Sequence, residues 1–278
     1  MKYGLGGINL LGYAHPEPLR RLLIAAEAAG FESAWAAEHV VIPREGARVT
    51  SDYSPQRIPA DTPFLDPLIA LSYAAACTDR LRLATGLIVL PEHNPVLLAK
   101  QLASLDVLCN GRLIFGYGVG YVEPEMQAAG VPMSSRGARA DEYLAAMMAL
   151  WREPADDFDG HFVHFEGVDA WPKPIRSRPE IVVGGHSVAA LRRAALLADG
   201  WYGWRLDLED AERLLINLRE AERKHRVADR PLEVSISPRR PVDLQTAERF
   251  AALGVDRLVL LPRNYGDIES AIASMPTS

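Results

Sequence analysis

The chain has 278 residues, 49% hydrophobic and 24% charged, with a formal net charge of −6, enough length for one large core and no basic surface for nucleic acid to grip. Its apolar runs fall far short of the ~18 residues a membrane span needs, and the opening MKYGLGGINLLGY reads as a strand rather than a leader. The two cysteines, Cys77 and Cys109, sit in apolar helical patterns and read as free thiols of a reducing, cytoplasmic compartment.

In chain order, one unit repeats along the sequence. Strands are expected at residues 3–8, 33–38, 81–90, 112–119, 181–184, 200–204, 232–236 and 256–261. Helices are expected at 16–29, 66–78, 95–108, 137–151, 188–198, 208–226, 244–252 and 267–275. The runs LRLATGLIVL and GRLIFGYGV lack polar alternation, which marks strands buried on both faces, and the helix between them marks a parallel crossover. Asn94-Pro95 and Asp66-Pro67 place a capping side chain before a proline, while Gly30, Gly111 and Gly254 close helices. Eight alternations in this length favour the α/β class and a closed (β/α)8 TIM barrel, as one domain over residues 1–278. An open doubly wound sheet is the alternative. Against it, Gly116-Tyr117-Gly118-Val119-Gly120 is spaced G-x-G-x-G with no helix start directly after it.

Two connections are long. Residues 43–64 follow the second strand and read as a lid or substrate loop; residues 153–180 follow the fourth unit, and 158–168 look like a small hairpin.

Ligands of parallel barrels bind at the carboxyl ends of the strands, so the residues there are the candidates for chemistry. Glu38-His39 ends strand two; a histidine there can give or take a proton, or else simply bond a neighbouring loop. Thr85-Gly86-Leu87 interrupts strand three, and a glycine inside a strand marks a bulge or a close ligand. Gly118-Val119-Gly120 ends strand four. Gly184-Gly185-His186-Ser187 delivers a strand into a helix start, which suits a phosphate, although a plain turn capped by Ser187 would look the same. Glu92-His93 reads as a lead-in to a capped helix, with substrate contact as the alternative. Trp201 and Trp204 fit a pocket rim or the core equally. The histidine spacings contain no metal-binding motif, so no metal is expected.

GFESAWAAEHV, the long stretch DPLIALSYAAACTDRLRLATGLIVLPEHNPVLLAKQLASLDVLCNGRLIFGYGVG, GARADEYLAAMMALW and IVVGGHSVAALRRAALLADGW together resemble the bacterial luciferase-like family of flavin- and deazaflavin-dependent oxidoreductases. Within it, the chain is most similar to the short members that use coenzyme F-420. The resemblance implies a bulge with a non-proline cis peptide at Gly86-Leu87 against which the ring stacks. It implies Gly118, Val119 and Gly120 beside ring and ribityl chain, and Gly184 to Ser187 on the phosphate. It makes His39 the proton-transfer residue, with Glu38 orienting it or touching the ring. Arg136, Arg139, Lys173 and Arg176 are the nominees for a basic groove along the coenzyme's acidic tail. After strand four, Tyr121-Val122-Glu123-Pro124 stands where relatives carry a polar run. The expected activity is hydride transfer between F-420 and a small organic substrate. An FMN-dependent monooxygenase and a non-catalytic flavin-binding protein are the alternatives. Relatives imply a homodimer.

Overall fold

The computed structural model describes residues 1–49, 56–226 and 230–276. Its strands are β1 (Lys2–Gly6), β2 (Ser33–Ala36), β3 (Arg82–Thr85), β4 (Leu113–Gly118), β5 (Glu180–Gly184), β6 (Gly200–Leu206), β7 (Glu233–Pro238) and β8 (Arg257–Leu260). Each pairs in parallel with its neighbour, and the β4–β5 and β8–β1 pairings close the sheet into a barrel. The short piece Ile88–Val89 resumes β3 beyond the Gly86-Leu87 interruption and pairs with β4. The expected TIM barrel is the observed fold.

The helices are α1 (Pro16–Ala29), α2 (Pro67–Cys77), α3 (Pro95–Leu108), α4 (Glu123–Ala128), α5 (Arg136–Trp151), α6 (Val188–Leu197), α7 (Leu208–His225), α8 (Leu244–Ala252) and α9 (Ile268–Ile272). Their starts follow the sequence signals. Asn94 accepts from the Val96 and Leu97 amides, and Asp66 accepts from Ile69. Gly30 ends α1 at φ 89°, a left-handed conformation that a side chain would disfavour. The element missing from the sequence reading is α4.

Side chains alternate between two cores. Trp35, Ala84, Ile114, Val182, Tyr202 and Val259 point inward and fill the barrel, with Trp35 stacked on Tyr202 at 5.2 Å between ring centroids. Leu87 and Trp204 close this inner core at the carboxyl end. The outward residues, among them Phe115, Tyr117 and Trp201, pack under the helices. Trp201 is therefore core, and Trp204 lies at the mouth. The barrel is filled, so a ligand can only sit on top of it.

The hairpin expected within 158–168 is present, pairing Phe158 with Phe165. In the 43–64 connection, Ala47–Val49 pairs with Gln56–Ile58; residues 50–55 of that expected lid lie outside the described residues. Both cysteines are free thiols. Among the described residues no helix is long and apolar enough to cross a membrane, and no group of three or more His, Cys, Asp or Glu could hold a metal ion.

Candidate active site

The end of β2 is tied down before it delivers any chemistry. Asn9, wholly buried, donates to the Ala37 and Leu65 carbonyls at 2.7 and 2.6 Å and accepts from the Ala37 amide at 2.9 Å. One side chain thus joins the start and finish of the 43–64 insertion, and His39 leaves the strand from a fixed point.

His39 is bonded on both ring nitrogens. Its Nδ1 lies 2.8 Å from Glu125 Oε2, and its Nε2 lies 3.1 Å from the Tyr121 hydroxyl. The Phe64 ring meets it edge-on at 5.3 Å. Glu125 is held in turn by the Val40 amide, which donates to Oε1 at 2.6 Å. An ionised carboxylate can only accept, so Nδ1 carries the hydrogen and Nε2 is left to accept from Tyr121. The His39 side chain is 8% exposed and Tyr121 is 38% exposed, so the hydroxyl is the face this pair offers to the mouth.

Glu38, adjacent in sequence, turns elsewhere. It accepts from the Val89 amide at 2.6 Å, and His93 Nε2 approaches its two oxygens at 3.0 and 3.1 Å. Burial pulls the His93 imidazolium down, but the Glu38 carboxylate outweighs burial and holds its pKa above the usual value, with Asp66 and Glu92 adding to the effect. Glu92, on the turn between them, has both carboxyl oxygens buried without a hydrogen-bond partner. Burial first, then the charges of Glu125 and Glu38, push its pKa up to about 8.

The Gly86–Leu87 peptide bond is cis. Gly86 N–H donates to the Ala36 carbonyl at 2.7 Å, which fastens the interruption to the end of β2. Thr85 bonds across to Gly116, its Oγ1 accepting from that amide at 2.8 Å and donating to the carbonyl at 2.7 Å. Leu87 then lies over the barrel. A Cβ on Gly184 would come within 2.0 Å of its Cδ1, whereas one on Gly118 would meet only that atom, at an ordinary 3.5 Å. Gly184 therefore makes room for Leu87, and Gly118 leaves space toward the mouth. Val119 packs against the outer core, and Gly120 turns at φ 81° into α4.

At α6, Ser187 Oγ accepts from the Ala190 amide at 3.2 Å and keeps its own hydrogen to donate. The first amides of the helix have no intrahelical acceptor, and Ser187 and Val188 are exposed. His186 Nε2 accepts from the Trp204 amide at 3.1 Å, and burial lowers its pKa to about 4, so it stays neutral. Free amides, a hydroxyl and a helix dipole fit a phosphate group.

The structure thus gathers the end of β2, the β3 bulge, the end of β4 and the start of α6 at the carboxyl end of the barrel. The sequence reading missed Glu125, because it read Tyr121-Val122-Glu123-Pro124 as a departure rather than a helix start. Proline in the first turn beside Glu123 and Glu125 was the available signal. Two nominees for the basic groove are corrected. Lys173 Nζ donates to the Leu150 carbonyl at the end of α5, and Arg176 lines a hollow of about 270 Å³ with Arg82, Asp106 and Glu180. Both stand at the amino-terminal end, because the chain from α5 to β5 runs beneath the barrel. Arg136 and Arg139 start α5 but bond locally, to the Met133 carbonyl and to Ser135 and Tyr143.

Residues 5–249 match the luciferase-like monooxygenase family. The chain belongs to that family. It is 40% identical over 182 residues to an uncharacterized protein of Mycobacterium tuberculosis, covering 63% of this chain and 64% of that one. It is 34% identical over 187 residues to an FMNH2-dependent dimethylsulfone monooxygenase of Pseudomonas fluorescens, covering 66% of this chain and 46% of the relative. The chain thus spans less than two thirds of either relative's length. Among solved structures, an F420-dependent secondary alcohol dehydrogenase superposes with a TM-score of 0.78 at 15% identity, covering 98% of this chain and 96% of the other; this is a likeness of fold.

Proposed function

We propose that this luciferase-like barrel is a flavin-dependent oxidoreductase, and that its cofactor is reduced FMN serving a monooxygenase reaction on a small organic substrate. The observation that carries the reading is His39, clamped by Glu125 on one ring nitrogen and by Tyr121 on the other, at the same end of the barrel as the open face of Gly118. Bound reduced FMN supplies the two electrons with which dioxygen is activated for insertion of one oxygen atom.

The protein's own residues do the rest. The α6 start, with Ser187, holds the phosphate. Leu87 and Trp204 give the ring an apolar floor, and Gly118 lets it approach the backbone. Glu125 fixes the His39 tautomer, so that a proton passes at Nε2 through the Tyr121 hydroxyl. Phe64 keeps water from the other side of the imidazole.

The choice of FMN over F-420 is supported by the sulfone monooxygenase relative and by the dispersal of the four basic nominees. A cofactor with one terminal phosphate needs only the α6 start. A long acidic tail would want a basic groove, which Lys173 and Arg176 at the far end cannot provide. The second reading, F-420-dependent hydride transfer, is favoured by the fold likeness alone. Titrating apoprotein with FMN and with F-420, followed by fluorescence, separates them: saturable FMN binding is expected, and binding of F-420 alone reverses the assignment. The reading includes a homodimeric, cytoplasmic protein, for which sedimentation of the purified chain tests the dimer.

A further inference from the structure

Three carboxyl groups converge beside His39, and the structure provides donors for two of them. Glu38 has the Val89 amide and His93; Glu125 has the Val40 amide and His39. Glu92, from the turn after Ile88–Val89, has both oxygens buried and no partner for either. A buried carboxylate without donors, beside two other carboxyl groups, is costly enough that it takes up a proton instead. The charges acting on it are those of Glu125 and Glu38, which favour its protonated form, and of His93, which opposes it. The end of β2 brings Glu38 and His39, the start of α2 brings Asp66, the β4–α4 segment brings Tyr121 and Glu125, and α5, packed against the same turn, carries Arg136 and Arg139, which bond to the Met133 carbonyl and to Ser135 and Tyr143. The one neighbour that opposes protonation, His93, is already engaged by Glu38.

We propose that Glu92 is the proton-holding residue of this site: a carboxylic acid kept neutral between the Glu38–His93 and Glu125–His39 pairs, whose ionisation sets their charge. It is a positioning residue, acting through those pairs rather than on a substrate. Neutral, it leaves one carboxylate per histidine, which keeps the geometry around Tyr121 and Val89. Ionised, it adds a third negative charge, which strengthens the hold of His93 on its proton and repels both carboxylates. The shift of its titration to about pH 8 places that change just above neutrality. Only its consequence for turnover rests on the flavin reading; the protonation itself is a property of the apoprotein.

The test is an infrared titration of apoprotein, reading the carbonyl stretch of protonated carboxylic acid. A band present at pH 7 and lost through about pH 8 is expected in wild type, retained in Glu38→Gln and absent in Glu92→Gln. Wild type without such a band at pH 7, or a band that survives Glu92→Gln, overturns the proposal. Should Glu92→Gln fail to fold, the wild-type titration decides alone: carboxyls all ionised by pH 6 overturn it. In the loaded enzyme, the alkaline limb of the pH profile near pH 8 should vanish in Glu92→Gln, and a limb unmoved by the substitution overturns the assigned effect on the site. Loss of flavin binding in every variant would remove the flavin reading while leaving the infrared result standing.

Discussion

At the amino-terminal end of the barrel, buried acids face a fixed cation; at the carboxyl mouth, buried acids face one another. Arg257, 0% exposed, donates to both Glu32 oxygens at 2.8 and 2.9 Å and to Ser235 Oγ at 2.9 Å, and pairs with Glu233 at 2.5 Å. Burial pushes Glu32 and Glu233 up, but the guanidinium outweighs it and holds both carboxyls below their ordinary range. Burial likewise raises Asp199, yet Arg178 and the Ile181 amide bring it down to about 2. Glu92 experiences desolvation too, but the charges of Glu125 and Glu38 add to it and outweigh the opposing pull of His93, so it goes the other way. The lesson is that burial alone does not assign a role to a carboxyl: its partner does. Matched charges at the bottom serve folding, and the mismatch at the top leaves a group that can titrate.

The largest effect expected is on stability. Arg257→Met removes the buried cation shared by Glu32 and Glu233, leaving them Arg82 and Lys2 at the surface, and should cost about 3 kcal/mol in urea denaturation, the low end of the range for breaking one side of a buried pair. A cost under about 1 kcal/mol would break the contrast between the two ends. His39→Ala should fall chiefly on activity, lowering turnover by about 10²-fold or more, with a smaller stability loss of about 1–3 kcal/mol because buried Glu125 loses one donor and keeps the Val40 amide. Glu125→Gln keeps the shape but loses the charge on Nδ1, so about a tenfold fall in turnover is expected, from the roughly 1.5 kcal/mol of a charge-assisted hydrogen bond. Equal losses in Glu38→Gln and Glu125→Gln would mean that the orienting carboxylate has been misassigned.

The two acids, Asp199 and Glu92, should also titrate against stability at opposite pH. Asp199 is depressed from 3.8 to about 2, so the stability it contributes is complete above pH 3.8 and is lost as pH falls toward 2. His186, half-buried at the mouth, is the exception there and is acid-sensitive too, because the unfolded chain takes up its proton below 6.5 and the folded one only near 4. For Glu92 the sign reverses: stability falls as pH rises from 4.5 to about 8. Asp199→Asn should therefore flatten the acid limb of a stability profile, and Glu92→Gln the alkaline limb. Thermal melts across pH read both; a shared limb would show that the two ends are coupled.

The fold was legible because most barrel strands are apolar on both faces, β7 with its buried Ser235 and Ser237 being an exception, and most helices carry their own start and stop residues, as at Asn94, Asp66 and Gly30. The rim was legible for the same reason, since His39 follows the end of β2 by three residues, and Gly118 and Gly184 end β4 and β5. What local pattern could not supply was pairing. Glu38 and His39 are adjacent in sequence and so looked like partners, yet their side chains take different ones, Glu38 the Val89 amide and His93, His39 Glu125 and Tyr121. Glu125 reaches His39 only because α4, a helix of barely two turns with weak periodicity, folds back over the mouth. Lys173 and Arg176 were misplaced for a related reason: the 153–180 connection has few regular elements from which its course could be read.

Gly116 and Gly118 provide the finest test, two glycines on one strand with different neighbours. A Cβ at Gly116 would stand 2.1 Å from the Thr85 carbonyl oxygen, a backbone atom that cannot move without opening β3 from β4. A Cβ at Gly118 would meet only the tip of Leu87, at 3.5 Å. Gly116→Ala should therefore destabilise the fold. Gly118→Ala should leave the melting midpoint in place and weaken FMN by about 1 kcal/mol, the low end of the cost of overfilling a packed contact. Fluorescence titration measures the second and thermal unfolding the first. If Gly118→Ala binds FMN as tightly as wild type, the ring does not lie against β4, and the glycine at that position has no part in seating it.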